Sequence, residues 1–268
     1  MTKKKKRLVI ISSVAAFLLV ACLIGLIVAG SLWGIPPFGG LFDMRIAKLA
    51  GNGERYSVEN VEELEDSPLK GMNILYLGSS VTYGAYSQGV SFADYIAKRN
   101  GTNFVKEAVN GTTLSGGNNS YISRMEKLDK GARFDLFVCQ LSTNDATQNK
   151  PLGEIAGKDA QNYDTSTVCG AIEYIIDYVG DIWNCPVVFY TNSYYESENY
   201  AAMVGALKQI QAEYCIGVID LYTDEVFNDI TAEQYELYMA DEIHPTRAGY
   251  LEWWTPKMEK YLYEVVRK

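Results

Sequence analysis

The sequence predicts an α/β fold: a mostly parallel five-stranded sheet covered by helices on both faces, preceded by one membrane-spanning helix. Three observations predict it. Five strand-like runs of five to eight residues, most of them apolar, alternate with helix-like stretches from residue 72 onward. A stretch of 23 uncharged residues, 8–30, stands before them. The chain has 268 residues, 48% apolar and 21% charged, enough for a sizeable core in one or at most two domains and unlike a disordered chain or a fibre.

Residues 1–7 form a basic tail, with Lys3, Lys4, Lys5, Lys6 and Arg7. Residues 8–30 follow as the anchor. As a helix rising 1.5 Å per residue they extend about 35 Å, enough for a hydrocarbon core of roughly 30 Å. A cleaved signal peptide has a shorter apolar region, about 7–15 residues, and a small-residue cleavage site that is weak here. Leu19-Val20-Ala21-Cys22 resembles a lipobox, which leaves lipidation at Cys22 as the alternative, although the apolar run continues to Ala29. The basic tail stays on the cytoplasmic side, so the body faces outward. Residues 31–70 are a connector or stalk, broken by Gly34, Pro36, Pro37, Gly39 and Gly40. Its five acids between 59 and 66 suggest a short surface helix. The stretch serves equally well as a stalk or as a segment packed on the body.

The body, residues 71–268, starts with an apolar run at 72–77 ending in Gly78, a buried-strand pattern. A helix at 91–99 is stopped by Asn100-Gly101. Strand 104–109, helix 121–128 and strand 134–141 follow. Helix 168–183 places Ile172, Ile175, Ile176 and Val179 on one face. Strand 186–190, helix 201–214, strand 216–221 and a closing helix at 246–266 complete the order. In such sheets ligands bind beyond the carboxyl ends of the strands. Three polar motifs stand there: LGSSVTYG, AVNGTTL and LSTNDA.

Charge excludes one class of partner. Setting aside the five basic residues of the tail leaves 19 basic against 33 acidic residues, a formal charge of −14. Such a body repels a nucleic-acid backbone. The single His cannot build a multi-His metal site but can serve as one base. His244 lies in DEIHPTRAGY, with Asp241 three residues upstream to accept its Nδ1–H bond and Pro245 keeping it out of the helical region. Its other reading is a surface His beside a helix-capping Asp. Gly78-Ser79-Ser80 follows the first strand, where a tight turn exposes a hydroxyl that needs a base to become a nucleophile. The turn lacks the Lys of a P-loop and the G-x-S-x-G of an α/β-hydrolase elbow. Gly111 offers a backbone N–H and Asn144 a side-chain amide as donors for a tetrahedral oxyanion.

These four blocks together resemble the SGNH (GDSL-type) hydrolase family. LGSSVTYG matches its first block with Ser80 as nucleophile, VNGTT its second with Gly111, STND its third with Asn144, and DEIHPTRAGY its last with Asp241 and His244. The resemblance covers residues 72–266. It implies a three-layer α/β/α fold and ester hydrolysis without a metal or cofactor. Two positions depart from the family pattern: Ser79 stands where the first block has Asp, and Ser142 where the third opens with Gly. Asp145 is expected to brace its loop rather than to serve the His. The implied oxyanion hole is the N–H groups of Ser80 and Gly111 with the Asn144 amide.

An outward-facing esterase of this kind is expected to act on envelope or extracellular material, with short acyl groups such as acetyl on a polysaccharide favoured over lipid esters. Tyr194, Tyr195 and Tyr200 are candidates to stack on sugars, or are core residues. A non-catalytic glycan-binding protein on the same fold and an acyltransferase using the same triad stay open. Cys139, Cys169, Cys185 and Cys215 in the body allow three full pairings, which sequence leaves undecided, as it does the oligomeric state.

Overall fold

The structure, a computed structural model, describes residues 2–267. They divide into two compact units that meet between Leu49 and Ala50 in the sequence. The first unit holds helix α1 (Lys3–Trp33) and helix α2 (Gly40–Ile46). Gly34 ends α1 in the left-handed conformation, its N–H bonded to the Gly30 carbonyl at 3.0 Å. Within α1, residues 13–32 are long and apolar enough to cross a membrane.

The second unit carries the sheet. Strands β1 (Asn73–Gly78), β2 (Asn103–Ala108), β3 (Leu136–Gln140), β4 (Val187–Tyr190) and β5 (Gly217–Ile219) are all parallel, in the spatial order β2-β1-β3-β4-β5. Between them run α3 (Ser80–Tyr83), α4 (Phe92–Asn100), α5 (Tyr121–Met125), α6 (Thr143–Thr147), α7 (Val168–Ile182) and α8 (Glu198–Tyr214). After β5 come α9 (Glu225–Asn228), α10 (Ala232–Tyr238), a π-helical stretch (Gly249–Trp254) and α11 (Thr255–Val266).

The period-2 alternation of the strands sorts the core into two layers. Leu75, Leu77, Phe137, Cys139 and Phe189 face α5, α7 and α8, meeting Ile172, Ile175, Val179, Leu207 and Ile210. Ile74, Tyr76, Leu136, Val138 and Tyr190 face the other way, onto Phe92, Ile96, Trp254, Met258 and Leu262. Phe92 lies within 6.3 Å, centroid to centroid, of Tyr76, Tyr190, Tyr250 and Trp254. Losing such a ring from a core costs about 3–5 kcal/mol. The result is the expected three-layer α/β/α arrangement. Its strand order reverses between β1 and β3, the place where an open parallel sheet leaves a crevice for ligands.

Local chemistry explains the helix ends. Ser91 and Asp94 form a capping box on α4, and Gly101 closes it in the left-handed conformation. The closing helix differs from the expected single run over 246–266. Pro256, in the first turn of α11, has no N–H for the Glu252 carbonyl and crowds it, and the chain approaches through the π-helical stretch.

Residues 50–70, grouped with the connector on sequence grounds, lie within the second unit. Tyr56 and Leu69 are buried. The surface helix expected over 59–66 does not form; one 3₁₀ turn, Val58–Asn60, overlaps it. Acids spaced three and four apart there repel one another on a helix. The Leu64 N–H instead bonds the Arg99 carbonyl at 2.7 Å. Among the described residues all five cysteines are free thiols.

Candidate active site

Ser80 opens α3 directly beyond the end of β1. The turn is possible because residue 78 is Gly: a Cβ there would stand 1.7 Å from Thr82 Oγ1 and 2.8 Å from Gln140 Oε1. Gln140, the last residue of β3, accepts from the Ser79 N–H at 2.9 Å and from the Thr82 hydroxyl at 2.8 Å. The neighbouring strand thereby fixes the shape of the turn. Ser79 is fully buried with its hydroxyl 3.3 Å from Gln140 Oε1. Ser80 points the other way, and its Oγ lies 2.8 Å from His244 Nε2.

His244 stands on a loop closed upon itself. Met239 and Pro245 pair as an antiparallel bridge, and the Ala240 N–H bonds the His244 carbonyl at 2.9 Å. Inside this loop Asp241 Oδ1 accepts the backbone N–H groups of Ile243 and His244 at 2.9 and 2.8 Å. Both carboxylate oxygens lie 2.9 Å from His244 Nδ1. Burial opposes ionisation of Asp241. The His244 hydrogen bond and charge, joined by the two backbone N–H groups, outweigh it and hold the carboxyl below the usual carboxylate range. An ionised acceptor at Nδ1 selects the Nδ1–H tautomer and leaves Nε2 as an acceptor for the Ser80 hydroxyl.

The loops after β2 and β3 complete the rim. Gly111 adopts φ +74°, and beyond its two chain neighbours no atom lies within 4 Å of where its Cβ would be, so its backbone is open to approach. Asn144 Nδ2 donates to the Thr112 carbonyl at 3.0 Å, which orients the amide with one N–H still to offer. Asp145 is fully buried and accepts from the Leu114 and Ser115 N–H groups at 2.7 and 3.0 Å and from the Ser115 hydroxyl at 2.5 Å. These bonds tie the loop after β3 to the Leu114–Ser115 segment.

A family model for GDSL-like lipases and acylhydrolases matches residues 76–251. The chain belongs to that family. As a GDSL-type enzyme it is a serine hydrolase, and the matched span begins within β1 and ends in the π-helical stretch. Solved structures share the fold. A Lactobacillus plantarum protein is 19% identical, with 73% of this chain and 98% of that one covered at a TM-score of 0.62. A protein described as a GDSL-like lipase from Bacteroides ovatus is 20% identical, with 73% and 99% covered at 0.55. An acetyl xylan esterase is 15% identical, with 70% and 98% covered at 0.53. No curated protein matches the chain.

Several residues of this GDSL site escaped the sequence pattern. Arg124, on α5 and 5% exposed, donates to the Gly78 carbonyl at 2.7 Å, to Thr112 Oγ1 at 3.2 Å and to Glu107 Oε1 at 2.8 Å. It ties the ends of β1 and β2 to the Gly111 loop. Tyr250 donates to the Val81 carbonyl at 2.6 Å, joining the π-helical stretch to the Ser80 turn. Tyr86 stacks on the His244 ring, with centroids 4.4 Å apart and planes 20° from parallel. Of the three tyrosines considered for sugar stacking, Tyr195 and Tyr200 are buried and pack on each other and on Tyr222. Tyr194 is 58% exposed. Among the described residues no group of three or more His, Cys, Asp or Glu is placed to hold a metal ion.

Proposed function

We propose that the chain hydrolyses carboxylic esters through an acyl-enzyme, with Ser80 as nucleophile, His244 as base and Asp241 as the residue that orients and stabilises the imidazolium. The observation that carries this reading is the 2.8 Å contact between Ser80 Oγ and His244 Nε2, backed by Asp241 at Nδ1. His244 takes the hydroxyl proton as Oγ attacks the ester carbonyl. The oxyanion receives the N–H groups of Ser80 and Gly111 and the free N–H of Asn144. The Ser80 N–H heads a helical turn, where it has no intrahelical acceptor. His244 returns the proton to the leaving alcohol, and the acyl group stays on Oγ. Water, deprotonated by the same ring, then releases the carboxylic acid and restores the serine.

Short acyl groups on a polysaccharide are the favoured substrates. Exposed Tyr194, just beyond β4 at the rim bearing Ser80, offers a face for a sugar, and a protein of the same fold is an acetyl xylan esterase. The apolar helix anchors the enzyme with its basic tail in the cytoplasm and its catalytic unit outside, facing envelope or extracellular glycans.

Ser80→Ala tests the reading. The variant should lose hydrolysis of p-nitrophenyl acetate and labelling by a fluorophosphonate while keeping its circular dichroism spectrum. Unchanged turnover removes Ser80 from the mechanism. A panel of acetylated glycans against longer acyl esters tests the substrate, and strict preference for long chains defeats the acetyl reading.

A further inference from the structure

The loop carrying His244 is gripped from a side to which the sequence pattern gave no chemistry. Gly51 lies so close to it that a Cβ would stand 2.0 Å from the Leu237 carbonyl oxygen and 2.2 Å from Thr246 Oγ1. Next to it, Asn52 is 4% exposed. Its Nδ2 donates to the Tyr86 carbonyl at 2.7 Å, and its Oδ1 accepts the Arg247 N–H at 2.9 Å. One amide therefore spans two loops: the one that follows the Ser80 turn and the one that follows His244. Arg247 Nε adds a second tie between them, to the Ser87 carbonyl at 3.3 Å. Tyr86, whose main chain is held in this way, lays its ring on the imidazole. Asn52 lies outside the span that matches the family, 76–251.

Asp241 and Ser80 fix the two ring nitrogens in the imidazole plane, but those bonds do little to oppose rolling of the ring about the line joining them. A stacked ring opposes that motion directly. We propose that Asn52 and Tyr86 are positioning residues: Asn52 clamps Tyr86 to the His244 loop, and the Tyr86 ring holds the imidazole plane in line with Ser80 and Asp241. This rests on His244 acting as the base for Ser80. Small misplacements of a catalytic group can cost as much as about 10²-fold in rate without any loss of binding.

The test uses the full chain in detergent, with wild type, Tyr86→Ala, Tyr86→Phe and Asn52→Ala compared by kcat and KM on p-nitrophenyl acetate. The sequence contains one His. Labelled histidine therefore reports His244 alone, and the low-field proton resonance of its Nδ1–H bond reads the Asp241 contact directly. Tyr86→Ala and Asn52→Ala should each lower kcat by about 10–10²-fold with KM little changed, and broaden or remove the low-field resonance. Tyr86→Phe, which keeps the ring face, should recover both. Wild-type kcat and an intact resonance in folded Tyr86→Ala and Asn52→Ala overturn the proposal. So does a raised KM at unchanged kcat in Tyr86→Ala, which would make Tyr86 a substrate contact. Should one variant fail to fold, the other decides. A wild type that neither hydrolyses esters nor takes the fluorophosphonate label refutes the esterase reading, while the resonance still tells whether Asn52 and Tyr86 hold the ring.

Discussion

Replacing Asp241 with Asn removes one charge and nearly keeps the shape. The amide oxygen can still accept the N–H groups of Ile243 and His244, which now reach Oδ1 at 2.9 and 2.8 Å, so the loop has reason to persist. On the proposed mechanism, what disappears is the anion that faces the imidazolium as Ser80 loses its proton. At the 2.9 Å contact and an effective dielectric constant of 20, a full charge pair is worth about 6 kcal/mol. The imidazolium charge is spread over its ring, and the Asp241 side chain is 39% exposed, so solvent screens the pair. About 3–4 kcal/mol remains, which corresponds to roughly 10²–10³-fold in kcat. The assay is p-nitrophenyl acetate turnover at neutral pH, with circular dichroism to verify the fold. A kcat for Asp241→Asn within about threefold of wild type would refute the electrostatic argument. The same carboxyl gives a signed pH effect. Its folded pKa lies below its unfolded value, so its contribution to stability is full above the unfolded value and is lost as pH falls through the folded one. Thermal unfolding of wild type below about pH 4 should therefore weaken more steeply than that of Asp241→Asn.

If Asn144 donates its free N–H to the oxyanion as proposed, Asn144→Ala should lower kcat by about 10²–10³-fold in steady-state assays with little change in KM; an unaltered kcat would exclude it from that role. Gly111→Ala should be destabilised by about 1–2 kcal/mol for a side chain at positive φ, and so melt at a slightly lower temperature, and should lose activity beyond that, because the new methyl occupies the open approach to the backbone. Gly78→Ala, with its Cβ 1.7 Å from Thr82 Oγ1, should be far less stable than Gly111→Ala in the same melting experiment; equal melting points would contradict the packing described. Mapped alkylation near pH 8 should modify exposed Cys215 before Cys185, whose thiol burial pushes up to about 11, and should leave buried Cys139 and Cys169 untouched until the protein is denatured.

The sheet was legible because β1, β3, β4 and β5 lie in short, mainly apolar runs, while edge strand β2 carries Lys106 and Glu107, and because the long crossover helix α7 carries its own period in Ile172, Ile175, Ile176 and Val179. The proposed reacting groups were legible because they sit in short strings, Ser80, Gly111 and Asn144 just beyond strand ends and Asp241 and His244 after α10. Asp241 and His244 stand three residues apart, so one local turn carries their contact. Other contributions lie in contacts that no local pattern encodes. Asn52 is 195 positions from the Arg247 N–H it accepts. Arg124 looks like any basic residue of a short amphipathic helix, and only the fold reveals that it binds the Gly78 carbonyl. Ser79 and Ser80 are alike as letters; the Gln140 side chain, at the end of another strand, holds one inward while the other meets the His244 ring. The acid-rich run at 59–66 misled because its composition suits a helix while its spacing sets acid against acid.

The turn that holds Asp241 and His244 together has an operational consequence. Acid and base hang from the same four residues, with Asp241 Oδ1 stitched to the backbone beneath the imidazole. On the proposed mechanism, any excursion of that hairpin tip would carry both away from the Ser80 hydroxyl at once and leave the serine without its base. If those roles hold, opening that single small hairpin would disarm the site without collapse of the domain.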